Sequence, residues 1–155
     1  MATDLMDASR EWMIRPPDQR YETLDAMYRA CKGYADSTSE KLVPFNRLQV
    51  DVHPQHGLVV YGKNSKGEHG KPATFSHYAF GQLCTRIGAP ADYLRSLPEN
   101  MAAMNVQYGL QKLAAENPAP QNLLIHENGK LTIRAVLSQA YERIWNHDIV
   151  ELCQS

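Results

Sequence analysis

At Arg47 the hydrophobic period of this chain switches from helical steps to strict alternation, and that switch restricts the fold to one that combines helices with sheet. Upstream, Tyr21, Leu24, Tyr28, Cys31 and Ala35 recur at steps of three and four, with Met27 and Tyr34 widening the stripe. The spacing predicts a helix over about 21–36, capped by Thr23 or Asp18. Downstream, Leu48, Val50 and Val52 alternate with Gln49, Asp51 and His53, the pattern of a strand with one wet face. "HPQHG" then turns the chain, Leu58 to Tyr61 returns it, and a third short strand over Ala73 to Phe75 follows the polar loop "GKNSKGEHGKP".

Helical spacing resumes at once. Ala79, Phe80, Leu83, Cys84 and Ile87 share one face, Ser76 is placed as their N-cap, and Gly88 stops the helix. Pro90 starts a short helix with Tyr93, Leu94 and Leu97 on its inner side, and Pro98 opens a third. In that third helix Ala103, Val106, Leu110 and Leu113 form one stripe and Met101, Met104 and Tyr108 a second, so both sides are expected to be covered. Asn128-Gly129 between two apolar runs predicts a type I′ hairpin that sets Glu127 opposite Lys130, His126 opposite Leu131 and Leu124 opposite Ile133. Asn146 is expected to cap a last helix carrying Ile149, Val150, Leu152 and Cys153, and a first helix is expected over 4–13, packing through Trp12. Strands and helices come in runs, so the fold class is α+β: an antiparallel β-meander and a second β-hairpin packed against a cluster of helices.

With 155 residues, 43% of them hydrophobic and 21% charged, a single soluble domain spanning 1–155 is expected. A formal net charge of −1 excludes strong attraction of the whole molecule to nucleic acid and leaves only a local patch. Cys31, Cys84 and Cys153 are far apart and have apolar neighbours, as expected of buried thiols in a reducing compartment. The start "MATDLMDASREWM" has no continuous apolar run, so neither a signal peptide nor a membrane span is read there, and a cytoplasmic location is expected.

Catalytic and metal chemistry have weak sequence support. Asp51, His53 and His56 surround a turn proline and lack a fourth ligand, so no metal is assigned. Ser76-His77 are adjacent and point apart, and Cys84 lies on an apolar stripe, so neither is assigned as a nucleophile. No glycine-rich nucleotide motif occurs, and neither enzymatic activity nor a cofactor is expected. Nucleic-acid contact has a better case. Lys63, Lys66 and Lys71 share a glycine-rich loop whose backbone amides could approach phosphates, and Arg134, Tyr141, Arg143 and Trp145 supply cationic and stacking groups, although Glu68 and Glu142 dilute both clusters.

Three blocks, "SREWMIRPPDQRYETLDAM", "FSHYAFGQLCTRIGAPADYLRSLP" and "IRAVLSQAYERIWNHDIVE", in this order and spacing, resemble a phage- and plasmid-associated protein family that carries a domain of unknown function. The likeness spans nearly the whole chain and carries over no catalytic residues. It extends distantly to single-strand annealing recombination proteins, which implies binding of single-stranded DNA through a basic groove on a sheet, and assembly into oligomers. Related chains continue past "WNHDIVE" with more strands, whereas this one stops at Ser155. The chain is therefore expected to be a short form or the N-terminal part of a longer architecture. A compact inhibitor or adaptor is the alternative, for example a phage protein acting on a host defence complex such as CRISPR. The implied partner is thus single-stranded nucleic acid or a host nucleoprotein complex, with no membrane involved.

Overall fold

The computed structural model describes residues 20–155, which form five α-helices and one six-stranded mixed sheet. The expected helix near Trp12 and the cap at Asp18 lie outside the described residues. The chain divides into two compact units, residues 36–142 and a second that joins residues 20–35 to 143–155.

In the larger unit the strands are β1 (Thr38–Val43), β2 (Leu48–His53), β3 (Gly57–Gly62), β4 (Ala73–Phe75), β5 (Gln121–Glu127) and β6 (Leu131–Leu137), arranged β1-β5-β6-β4-β3-β2. The α+β class holds, with the meander β2-β3-β4 and the hairpin β5-β6 merged into one sheet. They join through a single parallel pair, in which Ala73, Thr74 and Phe75 face Leu131, Thr132 and Ile133. All other pairings are antiparallel.

Helices α2 (His77–Ile87), α3 (Ala91–Ser96) and α4 (Glu99–Glu116) supply the other half of the core. Leu48, Val50, Val60, Ala73, Leu123 and Ile133 from the sheet pack with Phe80, Leu83, Val106 and Leu110 from the helices. The caps are those the residue types dictate. Ser76 Oγ accepts from the Ala79 N–H at 3.1 Å, and Gly88 closes α2 with φ 70°. One expectation fails on α4. Met104 is 73% and Tyr108 70% exposed, so among the described residues only the Ala103-Val106-Leu110 side is covered. The stripe read as a second buried side remains at the surface.

The second hairpin also departs from the expected register. Gly129 has φ 68°, but Asn128 does not have positive φ, so the type I′ geometry, which needs both, does not form. The loop takes three residues, Glu127 faces Leu131, and His126 faces Thr132. A bulge beyond it restores the inward pattern: Ile125 faces Ile133 and Leu124 faces Ala135, leaving Arg134 as the extra residue. Parallel pairing with β4 ends at Phe75, and helix α2 then takes over the backbone groups of β6. Ser76 Oγ donates to the Arg134 carbonyl at 3.2 Å, and the Val136 N–H donates to Gln82 Oε1 at 2.8 Å.

The smaller unit holds α1 (Leu24–Asp36), whose last residue opens the larger unit, and α5 (Asn146–Gln154). Thr23 caps α1 by accepting from the Ala26 N–H at 3.1 Å. The N-cap of α5 is Trp145 rather than Asn146, and its N–H donates to Asp148 Oδ2 at 3.3 Å. Val150 is the buried residue of α5; Ile149, Leu152 and Cys153 are exposed, against the expected stripe. Of the three thiols, Cys84 alone is fully buried.

Candidate functional site

The parallel pairing of β4 with β6 and the return of the Gly62–Pro72 loop gather cations at one end of the sheet. The Lys63 N–H donates to the Arg47 carbonyl at 2.7 Å, which sets Arg47 beside Lys63 at the mouth of the β2-β3 pair. The Gly70 N–H donates to the Gly62 carbonyl at 2.9 Å, bringing the chain back so that Lys71 precedes β4 at the same end. Lys130 stands one residue before Leu131, the partner of Ala73 at the start of the parallel pair. Arg47, Lys63, Lys71 and Lys130 thus lie along a rim that crosses β2, β3, β4 and β6, with Lys66 on the loop above. Three strand spacings make that rim about 14 Å wide.

The loop is built rather than slack. Asn64 Oδ1 accepts from the Lys66 and Glu68 N–H groups, both at 2.9 Å, and the Gly67 N–H donates to the Asn64 carbonyl at 3.0 Å. These amides are therefore committed within the loop. The expectation that they would approach phosphates is replaced by one in which the side chains do so. Lys63 Nζ donates to Gln49 Oε1 at 3.0 Å, while Lys66, Lys71, Lys130 and Arg47 form no ion pair with a described residue. Glu68, the loop's own carboxylate, accepts from Asn64 Nδ2 at 2.7 Å. His69 and Tyr61 add rings 5.4 Å apart beside Lys63.

The other residues singled out in the sequence fall elsewhere. Arg134 is the bulge residue, halfway along β6. Tyr141 is 52% exposed and lies beyond the opposite end of that strand, where its N–H donates to the Ser138 carbonyl at 3.1 Å. Arg143 and Trp145 belong to the smaller unit, where the Arg143 guanidinium sits 3.7 Å from the Trp145 ring centroid. That contact occupies one face of the indole. Of the seven candidates the structure brings together Lys63, Lys66 and Lys71, and adds Arg47 and Lys130, which were not singled out. Lys130 had a local signal in the Asn-Gly turn beside it. What places it next to Lys71 is a pairing between strands more than fifty residues apart.

One further cluster went unread in the sequence. Ser37 Oγ lies 3.1 Å and Thr38 Oγ1 3.5 Å from His126 Nδ1, which ties the start of β1 to β5. The contact explains part of why a segment as polar as "TSEKLV" enters the sheet. Among the described residues no three His, Cys, Asp or Glu side chains are grouped as metal ligands, and no helix is long and apolar enough to cross a membrane. No protein-family model, curated protein or solved structure matches the chain.

Proposed function

We propose that this chain is a non-enzymatic binding protein that acts on nucleic acid or a nucleoprotein complex, with Arg47, Lys63, Lys66, Lys71 and Lys130 as its phosphate contacts. The observation that carries the reading is the basic rim. Five cations from three separate segments converge on one end of the sheet, and none forms an ion pair with a described residue. The resemblance to phage- and plasmid-associated proteins, and distantly to single-strand annealing proteins, makes single-stranded DNA the first substrate to test.

Anisotropy titration with a labelled single-stranded oligonucleotide is the direct test. Five neutralised phosphates give a log–log salt slope of about −3.5, or about a hundredfold loss of affinity between 50 and 200 mM salt. Replacing Lys66 and Lys71 together with Ala should flatten the slope by about 1.4. Binding that is absent at low salt, or that ignores salt, removes the proposal.

A second reading, an inhibitor that docks on a host defence protein, is supported by a different observation. The exposed Met101-Met104-Tyr108 stripe of α4 flanks a groove of about 410 Å³ beside edge strand β2. In that case free nucleic acid is ignored at any salt, and a pull-down from host lysate is lost on Met104→Glu.

A further inference from the structure

A second concave site lies away from the rim, where β4 runs into α2. It is a cleft of about 290 Å³ between the β2-β3 turn, α2, α3 and the start of α4. Leu58, Phe75, Phe80, Leu94 and Leu97 form its apolar lining, and His56, His77, Arg95 and Glu99 its polar edge. That volume is at the small end for ligand sites: it suits a compact molecule with one ring or branched chain and is too small for a dinucleotide.

The polar edge carries one cation, Arg95, which is ion-paired with Asp92, and one carboxylate, Glu99. Arg95 is held in place by three contacts. Its Nη1 donates to Asp92 Oδ1 at 2.9 Å, its Nη2 donates to the His77 carbonyl at 2.8 Å, and its guanidinium lies 5.3 Å from the Phe80 ring centroid. The side chain is only 28% exposed, and three of its five N–H donors have no partner in those contacts. Glu99 approaches the cleft from the other side. Its Oε1 would lie 2.5 Å from a Cβ on Gly57, so the absent side chain at Gly57 is what lets the carboxylate rest against the turn.

Arg95 and Glu99 line the same cleft without forming an ion pair with each other. Opposite charges at the edge of an apolar lining are complementary to a small zwitterion with an apolar body. We infer that the cleft binds a free α-amino acid with a large apolar side chain. Its carboxylate would meet Arg95, its ammonium Glu99, and its side chain the Phe75-Phe80-Leu94 lining. The site is independent of the basic rim and uses none of its residues.

Calorimetric titration of the full chain with L-phenylalanine and L-leucine tests this, beside N-acetyl-L-phenylalanine, which lacks the ammonium, and L-phenylalaninamide, which lacks the carboxylate. At about 0.3 kcal/mol per heavy atom, about twelve heavy atoms give a Kd of about 2 mM or tighter. Each derivative should bind about tenfold more weakly than L-phenylalanine, the value of one charged hydrogen bond. Glu99→Gln, an exposed change that leaves the lining intact, should weaken L-phenylalanine by the same factor and leave the N-acetyl derivative unchanged. No saturation by about 10 mM overturns the inference. So do derivatives that bind as well as the free amino acid, which would make the cleft a pocket for a peptide side chain, and so does a Glu99→Gln variant with unchanged affinity.

Discussion

Gly109 lies in the interior of α4, where the intrinsic preference for alanine over glycine is about 0.8–1 kcal/mol. Propensity alone therefore predicts that Gly109→Ala stabilises the chain. The packing of α4 on α2 predicts the opposite. A Cβ at this position would lie 2.8 Å from Ile87 Cβ, 2.9 Å from Cδ1 and 3.2 Å from Cγ1. Two of those distances are shorter than carbon atoms tolerate, and relieving them means moving the end of α2 off α4. Overpacking of this kind costs about 1–3 kcal/mol, so the balance is a loss of about 1 kcal/mol and a melting point about 2–4 °C lower for a chain of this size. Thermal and urea unfolding followed by circular dichroism would measure it. Ile87→Ala removes Cγ1 and Cδ1 but keeps Cβ, so in that background Gly109→Ala should cost at least about 0.5 kcal/mol less than in the parent. A melting point that rises on Gly109→Ala, or two effects that simply add, would show that α2 and α4 do not meet at this glycine.

Three further outcomes are expected. Gly129→Val should cost about 1–2 kcal/mol, since Gly129 holds φ 68°, whereas Lys66→Ala should leave the melting point unchanged; equal effects would misplace the turn. Ser76→Ala removes both the α2 cap and the bond to the Arg134 carbonyl and should lose about 1–2 kcal/mol by urea unfolding; Ser76→Asn should recover part of it, because asparagine caps equally well. Burial pushes the Cys84 thiol up, an effect partly offset by the positive charge of Arg95. The folded state therefore holds Cys84 protonated at pH values where the unfolded chain ionises it. Stability from this group is complete below the unfolded thiol's pKa and is lost as pH rises through the folded value; iodoacetamide in mildly alkaline buffer should label exposed Cys153 and spare Cys84 until the chain unfolds.

The two sites were legible to different degrees. The loop lysines were readable because three of them share one glycine-rich polar stretch between two strands. Arg47 and Lys130 were not, because each belongs to the rim only through a partner distant in sequence. The cleft had no local signature at all. His56, Arg95 and Glu99 sit in a turn, a short helix and a helix start, and each by itself is an ordinary solvated side chain. Phe80 and Leu94 were read correctly as inward-facing, yet the period that shows a side chain is buried does not show that its neighbours leave a gap beside it.

Periodicity and punctuation, both properties of neighbouring residues, determined the strands β2 to β4, the helices α2 to α4 with the Ser76 cap and the Gly88 stop, and the α+β class. These depend on φ preferences and side-chain direction within one or two turns of chain. The tertiary structure alone decided what depends on distant partners. Strand β1 exists because β5 pairs with "TSEKLV", a segment whose own pattern is polar. The hairpin register shifted because a bulge at Arg134 lets Ile133 and Val136 both face the core, and core burial outweighs the turn preference of Asn-Gly. The Met104-Tyr108 side of α4 stayed exposed because periodicity marks a face as apolar, while the placement of the neighbouring elements decides whether anything covers it.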